Sequence, residues 1–208
     1  LMGVRLVHIT DFDWDSKRTL VQKKISHILG VTNNRVFARN TTVRKTTNAD
    51  IRSFVNENHI YGHKNCQHCY CMEYEGNIVA IMTFTKNHLE RFCTSMSVVG
   101  GFSKLFKFAL NDLGLDEVVT FADLSWSDIN DNVYVKNGFV LEKINNPNYW
   151  WVKKGIKLSR QKCQKHKITH LKSYSPEKSE TDIMQAEGYH KFYDAGHAKF
   201  IWRRKVRT

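Results

Sequence analysis

The stretch from residue 89 to residue 152 constrains this chain more than any other, because strand and helix signals alternate there around paired glycine turns. Leu89 to Cys93 is a short apolar strand. Ser95-Met96-Ser97-Val98-Val99-Gly100-Gly101-Phe102-Ser103-Lys104 then leads into a helix with Leu105, Phe106, Phe108, Ala109 and Leu110 as its apolar positions. Glu117 to Ala122 reads as a buried strand closed by Asp123, and Asp131 to Asn137 as a short helix capped by Gly138. Phe139-Val140-Leu141 and Tyr149 to Val152 complete the series as strands. Such an alternation builds a mixed α/β (α+β) layer structure.

Upstream, Val4 to Ile9 reads as a strand that runs into Asp11-Phe12-Asp13-Trp14-Asp15, where Ser16 is placed to cap a helix. Leu20, Val21, Ile25, Ile28 and Leu29 recur at helical spacing until Gly30, and Thr32-Asn33-Asn34 forms a linker. Val36 to Ala38 with Thr42-Val43 opens the main domain, and Asn48-Ala49-Asp50 precedes a helix carrying Ile51, Phe54 and Val55 on one face. Tyr70 to Tyr74 and Ile78 to Phe84 form a hairpin across Glu75-Gly76-Asn77. Downstream, Leu158 to Ile168 is a basic segment, and Thr181 caps a helix that ends at Gly188. Tyr189 to Tyr193 and Lys199 to Trp202 are expected as a small hairpin about Asp194-Ala195-Gly196. The expected organisation is thus 1–34, 35–155 and a basic helix/hairpin extension over 156–208.

The formal charge of +12 calls for an anionic partner, and nucleic acid, DNA in particular, is the natural one. Its distribution is uneven: residues 153–208 hold 15 Lys/Arg against 5 Asp/Glu, whereas 1–152 hold 17 against 15. Phosphate contacts are therefore assigned to Arg160, Lys162, Lys165, His166 and Lys167, with Arg203 and Arg204 at the end of the chain. No apolar run approaches the roughly 18 residues of a membrane span. Cys66, Cys69 and Cys71 crowd together near His63 and His68, but no distant second knuckle follows at a zinc spacing. Cys69, Cys71 and Glu73 alternate as one face of a strand would, the odd cysteine set suits a reducing compartment, and no metal is expected.

Two groupings carry chemistry. Glycines opening a helix let backbone N–H groups approach a phosphate, while the helix dipole favours its charge; Val98 to Lys104 offers this arrangement, with Lys104 as an added cation. His59, in His59-Ile60-Tyr61-Gly62-His63, and Asp123 could act as a base and its orienting carboxylate, provided the fold joins them. Trp126, in a polar loop, either stacks a base or anchors the loop in the core.

The order of elements over residues 36–155 resembles the GCN5-related N-acetyltransferase (GNAT) family, with Asn132-Val133-Tyr134-Val135-Lys136-Asn137-Gly138-Phe139 similar to its late Asn…Tyr-x-x-x-Gly-Phe segment. That resemblance implies a GNAT-like mixed, mainly antiparallel sheet flanked by helices. It also implies acyl-coenzyme A as cofactor, held by Ser97, Val98, Val99, Gly100, Gly101, Phe102, Ser103, Lys104 and Asn132, with Tyr134 at the thioester. Ser97-Val98-Val99 stands where that family has glutamine or arginine. The His59 and Asp123 pairing is similar to Mom-type phage DNA-modification enzymes, which implies a nucleobase amine as acceptor and Tyr61, His63 and Trp126 as contacts to nucleic acid. The opening strand and helix resemble the end of a Vsr-like endonuclease domain, and the whole chain resembles the C-terminal part of phage homing endonucleases of that type. By that resemblance residues 1–34 are a strand-helix remnant and the setting is the cytoplasm of a phage-infected host, and the opening residues read as a strand entered mid-way, as in a fragment. Acyl transfer near nucleic acid is the leading expectation. A non-catalytic DNA-binding module and a protein or small-amine N-acetyltransferase are the alternatives.

Overall fold

The computed structural model describes residues 6–31 and 34–205. A seven-stranded sheet has the order β2(Thr42–Thr46)-β3(His68–Tyr74)-β4(Asn77–Thr85)-β5(His88–Thr94)-β7(Glu117–Asp123)-β12(His197–Arg203)-β8(Val140–Asn145). Every pairing in it is antiparallel except β5 with β7. Two short strands, β1(Arg35–Phe37) and β6(Ser97–Val99), pair in parallel beside it. The β3–β4 turn places Glu75 and Gly76 at φ 49° and 77°, the left-handed pair that a tight hairpin needs. Side chains alternate across the sheet, so Tyr70 and Met72 enter a core shared with α3(Gly101–Leu113), while Cys69 and Cys71 meet Ile51 and Val55 of α2(Asn48–Asn58). α2 starts on a reciprocal cap between Thr47 and Asp50. These are the mixed, mainly antiparallel sheet and flanking helices expected of a GNAT-like fold.

The N-terminal segment departs from expectation. Leu6 to Ile9 form no strand, and the Val4 and Arg5 of that expected strand lie outside the described residues, as do Leu1 and the linker residues Thr32 and Asn33. α1(Asp11–Ile28) is capped by Thr10 rather than Ser16. The Ser16 hydroxyl instead donates to the Phe12 carbonyl at 2.7 Å, a back-bond that bends helices, and the adjacent Lys17 leaves helical geometry at φ −139°. Past that break, Leu20 and Val21 pack against Ile60 and Trp126. α1 therefore lies on the main domain.

The C-terminal expectations need larger corrections. No α-helix forms over 158–168; β10(Ile156–Ser159) is followed by two single 3-10 turns, Arg160–Lys162 and Lys165–Lys167. Too few apolar residues fall at helical spacing there to pin a helix to a core. α4(Glu180–Ala186) is capped by Ser179 and its N3 residue Asp182, not by Thr181. The expected hairpin is absent: β11(His190–Tyr193) pairs with β9(Tyr149–Lys153), and β12 continues into the main sheet between β7 and β8. Gly196 (φ +82°) makes that crossing, and a Cβ there would lie 2.6 Å from the Asn145 carbonyl oxygen. β12 fits because Ala198 and Phe200 fall on the core face of the sheet. Residues 146–196 thus form an insertion between two neighbouring strands, in which β10-β9-β11 and α4 enclose Trp151, Cys163, Ile168, Ile183 and Met184.

Candidate active-site cleft

The cleft follows from one departure in pairing. β5 and β7 run in parallel but share only the His88–Val119 pair, and beyond it they diverge. The divergence opens a cavity of about 880 Å³ lined by the ends of both strands, the start of α3, the 131–137 turn, residues 58–61 and one side of α1.

At the α3 end, Gly100 takes a left-handed conformation (φ 75°) and the helix begins without a side-chain cap. Its first N–H groups, from Gly101 to Ser103, therefore point out of the helix end with the positive end of its dipole. Gly101 is required for a steric reason, since a Cβ there would sit 2.8 Å from Val98 Cγ1. The expected donor site is narrower than the sequence suggested. Ser97, Val98 and Val99 are a strand paired with β1, and the Ser97 N–H donates to the Asn34 carbonyl. The Phe102 side chain is buried among Phe92, Phe106, Tyr134 and Phe139. Ser103 Oγ bonds Asn137 Oδ1 at 2.5 Å. Lys104 is turned away, its ammonium donating to the Ala38 carbonyl at 2.8 Å and to the Thr41 carbonyl. These bonds hold it off the cleft lining, so Lys104 is a structural tie between α3 and residues 38–41 and not the expected phosphate cation.

The 131–137 turn is held by Asn132, whose Oδ1 accepts the N–H groups of Tyr134 and Val135 at 2.9 and 3.0 Å. This side-chain bonding competes with helix formation and leaves only a 3-10 turn, Val135–Asn137, where a longer helix was expected. Tyr134 lines the cleft, packed against Phe102, Phe139 and Phe200. Burial raises its phenol above the ordinary value, which keeps the hydroxyl protonated and able to donate.

At the other end, the expected dyad is replaced by a different one. Asp123 Oδ2 accepts the Tyr61 hydroxyl at 2.6 Å, and its Oδ1 accepts the Ser125 N–H at 2.8 Å. Burial by the cleft walls and then the bond to Asp123 raise the Tyr61 phenol, although nearly half of the residue stays open to solvent. His59 is bound differently: its Nδ1 accepts the Tyr61 N–H at 3.2 Å. The proton of the neutral ring then resides on Nε2, so His59 presents a donor, not a base. Burial, followed by the charges of Arg91, Lys24 and Lys17, lowers its pKa to about 3. The expected role of Asp123 as the orienter of His59 thus gives way to a Tyr61–Asp123 pair.

The expected nucleic-acid contacts disperse. Trp126 is buried at 7% exposure against Leu20, Val21 and Ile60, so it is the loop anchor and not a stacking platform. The His63 backbone N–H donates to Asn56 Oδ1, while its buried Nε2 has no hydrogen-bond partner among the described residues. The Lys165 and Lys167 ammoniums donate to the carbonyls of Pro176 and Gln161 at 2.5 and 2.8 Å, and Arg160 lies 5.3 Å from the Tyr149 ring centroid. Arg203 and Arg204 pair with Glu117 and Asp116, each at 2.9 Å. Lys162 and His166 fall in the two 3-10 turns of the insertion.

The thiols are buried, although Cys93 lines the cleft. Cys66, Cys69, Cys71 and Cys93 pack with Ile51, Val55 and Ile81, and burial pushes Cys69 up to about 11 and Cys93 up to about 12. No group of three or more His, Cys, Asp or Glu suited to a metal occurs among the described residues, and no helix there is long and apolar enough to cross a membrane.

Sequence reasoning missed Arg91 on β5 and the α1 residues Lys17, Lys23 and Lys24. Lys24 falls four residues after Leu20 on the stripe that faces the core, a position that marks it as turned inward.

An open cleft between diverging parallel strands, floored by a helix N-terminus, is thus the site that this mixed, mainly antiparallel fold builds. No family model matches the chain, and no characterised relative matches it in sequence. Among solved structures it is similar to a GNAT-family acetyltransferase from Bacillus cereus ATCC 10987, at 12% identity over 80% of this chain and 99% of that one, with a TM-score of 0.40. It is also similar to N-acetylglutamate synthase from Neisseria gonorrhoeae complexed with coenzyme A and N-acetyl-glutamate (10% identity, 80% of this chain, 35% of that one, TM-score 0.40). A third likeness is to a GNAT-family acetyltransferase from Elizabethkingia anophelis with acetyl-CoA bound (10% identity, 79% and 99%, TM-score 0.34).

Proposed function

We propose that this protein transfers an acyl group from acyl-coenzyme A to an amine. The observation that carries the reading is the divergence of β5 and β7 beside an uncapped helix N-terminus, which joins an anion seat and a Tyr61–Asp123 pair in one cleft. The residues present fit such a cofactor: the first turn of α3, without a side-chain cap, presents the Gly101, Phe102 and Ser103 N–H groups, which suit a pyrophosphate. When bound, the cofactor supplies an activated thioester. Asp123, through the Tyr61 hydroxyl, would take the proton that the amine sheds, and the Tyr134 hydroxyl would donate one to the leaving thiolate. His59 Nε2–H orients the acceptor as a donor.

Titration calorimetry with acetyl-coenzyme A tests this reading. Binding is expected with the native protein and weakened in Gly101→Glu, which adds a negative charge at the first turn of α3; no heat at millimolar cofactor with the native protein refutes it. Support for an acceptor in nucleic acid comes from the charge of residues 153–208, with Arg160, Lys162 and His166 as the remaining contacts. A short duplex should then bind with a salt dependence that Arg160→Ala and Lys162→Ala flatten. An unchanged slope removes nucleic acid as a partner.

A further inference from the structure

The acceptor end of the cleft gathers cations from two separate elements, while two of the carboxylates that line the cavity are ion-paired to other lysines. Arg91, half-buried on β5, spends Nε on the Gly62 carbonyl at 3.1 Å and Nη1 on the Glu90 carbonyl at 2.8 Å, and makes no ion pair among the described residues. From α1, the Lys24 ammonium reaches in to 5.0 Å from the Trp126 ring centroid, and Lys17 is fastened to the Ile60 carbonyl at 2.5 Å. Of the carboxylates that line the cavity, Glu90 holds Lys64 at 2.8 Å and Asp131 holds Lys136 at 2.5 Å, while Asp123 accepts the neutral Tyr61 hydroxyl. Two backbone carbonyls orient a guanidinium without neutralising it, and a half-buried charge without a counter-ion is costly. Nη2 and the second Nη1 hydrogen remain as donors beyond those two carbonyl bonds, in the planar fork that matches a carboxylate or phosphate.

We propose that the acceptor carries an acidic group, a carboxylate or a phosphate, which seats on Arg91 beside Lys24 and so places its amine at the Tyr61–Asp123 pair. This rests on the acyl-transfer reading for the word acceptor, but the anion seat itself does not. The field of the same cations at His59 agrees with it, since Arg91 and Lys24 both act to lower that imidazole. The seat is separate from the α3 N-terminus, so one cleft holds two anionic groups, one belonging to each substrate. α1 acquires a function by this reading: it closes the acceptor end and contributes a cation to it.

Succinate, its neutral diamide and inorganic phosphate are the probes, titrated calorimetrically with the His59 ring resonances followed by NMR. One or both anions should bind at least tenfold more tightly than the diamide and move the His59 signal. Arg91→Gln and, separately, Lys24→Gln should each weaken that binding by tenfold or more; Lys24→Gln keeps the test valid if the Arg91 variant unfolds. Succinate alone assigns the acceptor to carboxylic acids, and phosphate alone to phosphate esters. Equal binding of anion and diamide, or an anion preference that survives both substitutions, overturns the proposal. Acetyl-coenzyme A is titrated in parallel: if it fails to bind while an anion still moves His59, the transferase reading falls and the anion seat stands.

Discussion

Gly101→Ala offers a sharp steric test of the α3 end of the cleft. The added Cβ would lie 2.8 Å from Val98 Cγ1 and 3.0 Å from Val98 Cβ, distances that real contacts do not reach, so either β6 or the start of α3 must move. Overpacking of this kind costs about 1–3 kcal/mol. Replacing a helical glycine by alanine returns up to ~1 kcal/mol, which leaves a net loss of about 1–2 kcal/mol. For a chain of this size that corresponds to a Tm lowered by roughly 3–6 °C. Val98→Ala removes the offending Cγ1, so the double variant should recover most of the loss, with a coupling of about 1 kcal/mol or more between the sites. Thermal unfolding of the four proteins in the cycle measures it. A Gly101→Ala protein as stable as the native one, or a cycle without coupling, would refute the geometry assigned to the β6–α3 junction.

Three further outcomes follow from the cleft and the insertion. Because burial and three cations hold the folded His59 near 3 against an ordinary 6.5, the unfolded chain binds the extra proton between these values. Stability from this residue is thus complete above about pH 6.5 and declines as pH falls toward 3, with ~1.4 kcal/mol per unit as the limiting slope. His59→Gln should flatten the slope, and the native His59 ring resonances should not titrate between pH 5 and 8. Lys104→Met removes the ammonium that joins α3 to the Ala38 and Thr41 carbonyls, and should cost about 1–3 kcal/mol in chemical denaturation while leaving acetyl-coenzyme A affinity within a factor of about two. Glu180 accepts both the Trp151 indole N–H and the Tyr149 hydroxyl on one oxygen, at 3.1 and 3.0 Å. Glu180→Ala strands the buried indole donor at a cost of about 1–3 kcal/mol, and limited proteolysis should then cut first within 160–179.

Local chemistry made the central motif legible. Gly100-Gly101 before an amphipathic run, the Glu75-Gly76 turn between alternating strands, and Gly138 before Phe139 are each fixed by backbone sterics or by a period of hydrophobicity, and all three occur where the sequence places them. The extra residues and partners were less accessible. Lys104 looked like a phosphate ligand because it follows a glycine turn, yet it bonds carbonyls 63 and 66 positions away. Tyr61 shares a segment with His59, but its hydroxyl and not the imidazole meets Asp123, a choice made by where the end of α2 delivers each side chain.

By itself, then, the sequence determined the strands and helices between residues 42 and 123 and which turns need glycine, since those depend on residues a few positions apart. Only the tertiary structure decided that β12 slots between β7 and β8 with an entire insertion preceding it, that α1 walls the cleft, and that Arg91 and Lys24 converge there. Those outcomes depend on strand order and on contacts between residues tens of positions apart. Strand pairing is chosen by the burial of whole faces, and no local pattern in the chain records it.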